Sequence, residues 1–234
     1  MSDPIIRLNK LQFRWPGQAD NTLDIPTLTV QAGQHLFIKG SSGSGKTTLL
    51  NLLTGITSAS SGTVDVLGQN LNDLSYTQRD QFRVDHLGVI FQQFNLLPYL
   101  SIIDNVQLPC LFSNKRHQAA GDLQASSLRL LHELRLPESL FHQPVSSLSV
   151  GQQQRVAVAR ALIGQPEIII ADEPTSALDT ENRDRFLQLL FREAEQQSST
   201  LIFVSHDPQI TSQFPEVLVL ENLNQAQRQQ EEFA

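Results

Sequence analysis

The strongest chemical signal in this chain is Gly40-Ser41-Ser42-Gly43-Ser44-Gly45-Lys46-Thr47, with Thr48 following. A phosphate chain must be held without its hydration shell, and glycines let backbone N–H groups approach it closely. A helix starting near Gly45 adds the positive end of its dipole. Lys46 reaches the β- and γ-phosphates, and the Thr47 hydroxyl is an oxygen ligand for Mg²⁺. The spacing Gly-x4-Gly-Lys-Thr therefore reads as a phosphate loop for a nucleoside triphosphate. The competing reading is a Gly/Ser turn that happens to hold a lysine, and the full spacing speaks against it.

Other residues could complete that chemistry. The apolar run Pro166–Ala171 ends on Asp172 and Glu173. Two adjacent acids there suit a division of labour, with Asp172 holding the metal and Glu173 polarising an attacking water. Gln92 follows the apolar run Leu87–Phe91 and is either a Mg²⁺ or water ligand or a solvated strand end. His206, after Ser199–Val204, either stabilises a γ-phosphate or is structural. Ser149 is an N-cap for a helix through Val156–Ile163, whose first-turn N–H groups either face an anion or are merely capped. Trp15, in the turn with Pro16 and Gly17, either stacks on an adenine ring or packs as an ordinary aromatic.

The elements that must position these residues are legible from period and punctuation. Ile5–Phe13 alternates imperfectly, and Leu23–Val30 resumes a strand pattern. His35–Lys39 and Thr48–Leu53 flank the phosphate loop as strand and helix. Thr63–Leu67 and the Gly68 turn predict a hairpin, and Tyr76–Val84 a short helix. From Asn95 to Pro144 the pattern becomes proline-punctuated and helical, which predicts an inserted helical lobe.

Composition narrows the class. The chain has 234 residues, 40% hydrophobic, enough for a sizeable core in one α/β domain with an inserted lobe. No apolar run approaches membrane-spanning length, and the N-terminus lacks a signal-peptide pattern, so a cytoplasmic location is expected. The single Cys110 forms no internal disulfide and reads as a core or surface thiol. A net charge of −7 with scattered Lys and Arg argues against nucleic acid as a partner.

Taken together, Gly40–Thr47, Gln92, Leu148-Ser-Val-Gly-Gln152, Ile168–Glu173, Ser176-Ala-Leu-Asp179 and His206 resemble the ATP-binding cassette (ABC) ATPases over nearly the whole chain. The resemblance implies a P-loop α/β fold with a mixed RecA-like core at about 1–93 and 165–222. It also implies an N-terminal antiparallel β region and a helical subdomain at about 94–164. Residues 223–234 are expected to be a flexible tail. It further implies Mg²⁺-dependent ATP hydrolysis and a head-to-tail dimer in which Ser149, Gly151 and Gln152 act on the partner copy's nucleotide. Trp15, in Phe13-Arg-Trp-Pro-Gly17, falls where the family stacks an aromatic on adenine.

Within the family the chain is most like the stand-alone ATPases of lipoprotein release, macrolide-type export and cell-division remodelling. Such a subunit sits on the cytoplasmic face of the inner membrane beside a separate membrane-spanning permease. A nucleotide-switched regulatory module, and a non-transport ABC protein of repair or translation, are the alternatives. The latter usually carry two cassettes or a long coiled-coil insertion. The signature departs from Leu-Ser-Gly-Gly-Gln at Val150. A β-branched residue costs about 1–3 kcal/mol there if the position needs positive φ, and is harmless if φ is helical.

Overall fold

The imperfect alternation of the first strand has its cause in the sheet it builds. Strand β1 (Ile6–Phe13) pairs antiparallel with β2 (Leu23–Val30) and with β4 (Ser61–Val66), and the second register shifts between Asn9 and Gln12. Lys10 sits in this bulge at φ 48°, and Gly62 opposite has φ 80°. A Cβ on Gly62 would lie 2.2 Å from the Lys10 carbonyl oxygen, so only glycine fits there. On either side of the bulge the alternation returns, and Ile6, Leu8, Leu11 and Phe13 are buried.

The computed structural model describes residues 3–175, 178 and 180–226, without the side chains of residues 181 and 182. The chain divides into two compact units, one of Met1–Arg83 with Ile202–Ala234 and one of Val84–Leu201. No described helix is long and apolar enough to cross a membrane.

The first unit holds an antiparallel sheet in the order β2-β1-β4-β5, where β5 is the two-residue strand Gln69–Asn70. It also holds a parallel group. Strand β3 (His35–Lys39) pairs with β9 (Glu216–Val219), and β8 (Thr200–Val204), most of which belongs to this unit, neighbours β3 on its other side. Phe37 and Phe203 stack at 6.0 Å between ring centres, and Phe214 tilts against each at 5.2 Å, forming an aromatic core under β3 and β8. Helix α1 (Lys46–Leu53) buries Leu49, Leu50, Leu52 and Leu53. Helix α2 (Tyr76–His86) starts in this unit, and the short α8 (Leu220–Leu223) follows β9.

In the second unit β6 (Leu87–Ile90) pairs in parallel with β7 (Ile168–Asp172). Fully buried, continuous apolar runs are what parallel strands require. The expected helical character from 95 onward takes the form of α3 (Ile102–Phe112), α4 (Asn114–Ala120) and α5 (Leu123–Glu133). They are followed by α6 (Val150–Leu162) and α7 (Thr180–Gln196). Ser101, Ser113, Asp122 and Ser149 each accept a first-turn N–H with the side chain, so α3 to α6 all start at a polar cap. Gly88 lets α6 lie directly on β6, because a Cβ there would meet the Ala161 carbonyl oxygen at 2.2 Å.

The buried Arg116 closes the C-terminal end of α6. Its guanidinium donates to the carbonyls of Leu87, Arg160, Ala161 and Ile163. Burial lowers its pKa to about 10, which leaves it charged at neutral pH.

Candidate functional site

In the first unit, β3 delivers the chain into the loop Gly40–Gly45 and α1 carries it out at Lys46. Gly43 and Gly45 lie at φ 83° and 100°, conformations a side chain would strain. Space is also restricted, since a Cβ on Gly40 would sit 2.5 Å from Ser44 Oγ and one on Gly45 2.7 Å from Leu23 Cδ2. Side chains thus pack directly against the glycine backbone of the loop. Lys46 is buried, and its Nζ donates to the Gly40 and Ser41 carbonyls at 2.8 and 2.6 Å. These two weak acceptors hold the ammonium inside the loop, where phosphate oxygens would be stronger ones. Ser41, Ser42 and Thr47 are exposed, while Ser44 and Thr48 are buried.

The end of this unit returns to the same loop. Glu221 on α8 accepts hydrogen bonds from the Ser41 N–H at 2.5 Å and from Ser41 Oγ at 2.8 Å. Asn224 is fully buried; its Oδ1 accepts from the Asp24 N–H at 2.8 Å and its Nδ2 donates to the Thr22 carbonyl at 3.0 Å. The stretch from 223 was expected to be free, but Asn224 and Ala226 are buried, because these amide bonds tie it down. The remainder, 227–234, lies outside the described residues. His206 follows β8 and is exposed. Trp15 is 37% exposed and meets Phe13 edge-on at 4.9 Å.

In the second unit Asp172 is the last residue of β7 and Glu173 follows at φ 44°. A non-glycine residue held there is strained, which happens where surrounding structure fixes the turn. Part of that fixing is visible, since buried Gln154 on α6 donates its side-chain amide to the Pro174 carbonyl. Of the motif Ser176–Asp179, residues Ser176, Ala177 and Asp179 lie outside the described residues.

The N-terminus of α6 is a complete capping box. Ser149 Oγ accepts from the Gln152 N–H at 3.3 Å, and Gln152 Oε1 accepts from the Ser149 N–H at 2.9 Å. Val150 is the first helical residue and has no positive φ, so its branched side chain carries no backbone penalty. It is 53% exposed, beside Gly151, around whose position a Cβ would find open space.

Gln92 lies exposed in the turn after β6. The turn continues through Phe94 and Asn95, both left-handed at φ 59° and 48°. Arg160 of α6 holds it by donating to both carbonyls, at 2.6 Å to Asn95. Burial lowers the Arg160 pKa to about 10. Asn105 of α3 is wholly buried and holds the next turn; it accepts from the Leu97 N–H at 2.8 Å and donates to the Leu97 and Ser101 carbonyls at 3.0 Å each.

The residues expected from sequence therefore divide between the units: Trp15, Gly40–Thr48 and His206 in the first, and Gln92, Ser149, Gly151, Gln152, Asp172 and Glu173 in the second. Sequence reasoning missed Gln154, Arg160, Asn105, Glu221 and Asn224. Gln154 and Arg160 fall on α6 beside the signature and Asn105 four residues after Ser101, but an Arg, Gln or Asn in a helix is ordinarily solvated.

Comparison with known proteins places this geometry. A family model described as ABC transporter matches residues 23–176. An uncharacterized ABC transporter ATP-binding protein, YbbA of Escherichia coli (strain K12), is 40% identical over 209 residues, 88% of this chain and 90% of that protein. The macrolide export ATP-binding/permease protein MacB of Burkholderia pseudomallei (strain 1710b) is 38% identical over 214 residues, 91% of this chain but 32% of that protein. Among solved structures, the dimeric bacterial ABC transporter cassette MJ0796 superposes with a TM-score of 0.83 at 33% identity, covering 92% of this chain and 93% of that one. The same cassette in a dimeric post-hydrolysis state bound to ADP and Pi has a TM-score of 0.83 at 32% identity, with 94% and 95% covered.

Proposed function

This chain belongs to the ABC transporter ATP-binding family, and we propose that it hydrolyses Mg-ATP, as a head-to-tail dimer, to drive a separate membrane-spanning permease from the cytoplasmic face of the membrane. ABC ATPase activity is the family's chemistry. The observation that carries it to this chain is the loop Gly40–Thr48, with Gly43 and Gly45 at positive φ and Lys46 held inside by two carbonyls.

In this reading the loop N–H groups and Lys46 bind the phosphate chain, and Trp15 stacks on the adenine ring. Thr47, Gln92 and Asp172 are an all-oxygen donor set suited to Mg²⁺, which when bound neutralises phosphate charge. Glu173 takes a proton from the attacking water, and His206 stabilises the γ-phosphate. Ser149, Gly151 and Gln152 act on the nucleotide of the second copy. The cassette is one nucleotide-binding domain with a helical subdomain at about 94–164, and that subdomain with the loop Phe94–Leu100 receives the permease. Tyr99 is 76% exposed and Leu111 and Phe112 are 67% and 65% exposed, an apolar surface on and beside α3.

Steady-state phosphate release, with and without the co-purifying membrane protein, tests the reading. Glu173→Gln should bind Mg-ATP, trap a dimer and lose turnover, and wild-type turnover in that variant would remove Glu173 from its role. Lys46→Ala should weaken nucleotide binding in titration calorimetry; unchanged affinity would contradict the loop's role. Leu97→Asp with Tyr99→Glu should abolish co-purification of the permease while leaving nucleotide affinity intact; if the permease is still recovered, docking lies elsewhere.

A further inference from the structure

We propose that Glu221 is a positioning residue for the phosphate loop, fixing the peptide of Ser41 so that the loop is already shaped for a nucleotide before one arrives. The inference rests on the nucleotide-binding reading above.

The placement follows from strand register. β3 and β9 run parallel, and their pairing ends at Lys39 opposite Val219. Gly40 follows Lys39 and the helix α8 follows Val219, so the first turn of α8 falls beside the first turn of the loop. There one carboxylate oxygen, Oε1, accepts from both the Ser41 N–H at 2.5 Å and the Ser41 hydroxyl at 2.8 Å. Two donors of one residue converging on one acceptor fix that residue's backbone orientation as well as its position. Ser41 in turn presents its carbonyl to Lys46 Nζ at 2.6 Å. A continuous chain of hydrogen bonds thus runs from Glu221 through the Ser41 peptide to the lysine that is to meet phosphate.

The second carboxylate oxygen separates this role from simple attachment of α8. Oε2 is buried and finds no hydrogen-bond donor, and it lies 3.4 Å from where a Cβ of Gly40 would stand. Lys46 Cδ lies at the same 3.4 Å from that point, so this oxygen is turned toward the start of the loop and takes no part in attaching α8. Burial pushes the Glu221 pKa up, but the Ser41 hydrogen bonds and the nearby Lys46 charge outweigh it, so the group stays ionised.

Mg-ATP binding to the full-length protein, measured by titration calorimetry alongside steady-state hydrolysis, tests this. Glu221→Ala should raise the Kd and KM for Mg-ATP about tenfold while kcat at saturation changes less than about twofold, because preorganisation is lost but the reacting groups remain. Glu221→Gln keeps an acceptor oxygen and should return Kd to within about threefold of wild type. Ser41→Ala should weaken binding on its own but add little to Glu221→Ala, since its hydroxyl acts through that carboxylate.

Wild-type affinity in Glu221→Ala would overturn the inference, and so would a Gln variant as weak as the Ala variant. If the folded wild-type protein bound no Mg-ATP, the nucleotide reading itself would fall. If Glu221→Ala proved unstable, Ser41→Ala decides alone, and wild-type affinity in that variant would overturn the inference.

Discussion

The phosphate loop and the loop after Gln92 are both tight, irregular turns, yet they are held in opposite ways. The first takes its shape from glycine: Gly43 and Gly45 adopt positive φ freely, and the lysine is held by the loop's own carbonyls. The second places Phe94 at positive φ against its preference, beside Asn95, which tolerates it, and the turn persists because Arg160 and Asn105 reach in from α6 and α3. A turn built from glycine reaches its backbone angles without help, and here only Ser41 is braced from afar, by Glu221. A turn built from buried side chains is specified by packing of helices far along the chain, so it can respond when those helices move.

Replacing Arg160 by Met should break the second loop most severely. Two carbonyls at strained residues lose a charged donor, so the loss should be about 3 kcal/mol. That appears as a Tm lower by about 9 °C for a chain of this size. A change below about 3 °C would mean that the turn holds itself, and the contrast with the phosphate loop would disappear. Gly45→Ala probes the other side of the contrast. At φ 100°, with its Cβ 2.7 Å from Leu23 Cδ2, alanine should cost about 2 kcal/mol and weaken Mg-ATP binding. Retained affinity and stability would show that the glycine is dispensable. Ser149→Ala removes the capping box of the helix that carries Arg160 and should cost about 1 kcal/mol by urea unfolding. A cost near zero would mean that tertiary packing alone fixes the start of α6.

The smallest effect concerns acid. Burial raises the Glu167 pKa, but hydrogen bonds from His86 and Lys115 outweigh it and hold the carboxyl at about 2. Its folded value lies below the unfolded one of about 4.3, so its contribution is present above that pH and fades as pH falls toward 2. Because the group is partly exposed, solvent screens the gain. Glu167→Gln should therefore flatten the acid limb of a urea-midpoint profile slightly, and coincident wild-type and variant profiles would show that the cluster contributes nothing.

The same contrast explains what could be read from sequence. Glycine spacing, apolar runs and caps announce themselves, so the glycine loop between β3 and α1, β7 with its two acids and the Ser149 cap were all legible at their observed places. Even the faltering pattern of β1 proved to be a signal, the mark of the bulge at Lys10 opposite Gly62. What stayed hidden were polar residues whose meaning depends on burial. Nothing local separates Arg160 or Arg116 from a solvated arginine, and Glu221 matters only because β9 runs beside β3. The question of Val150 was likewise undecidable until its backbone was seen to be helical.

The return of the chain to its own phosphate loop also sets an order in time. Glu221 grips Ser41 across 180 positions of sequence, and Asn224 ties Asp24 across 200. During synthesis at roughly 5–20 residues per second, the loop waits on the order of ten seconds or more before its anchoring partner exists. The loop Gly40–Gly45 and the residues that brace it are therefore made far apart in time, although they lie side by side in the fold. Until residue 221 has emerged, Ser41 lacks the acceptor that receives both its N–H and its hydroxyl.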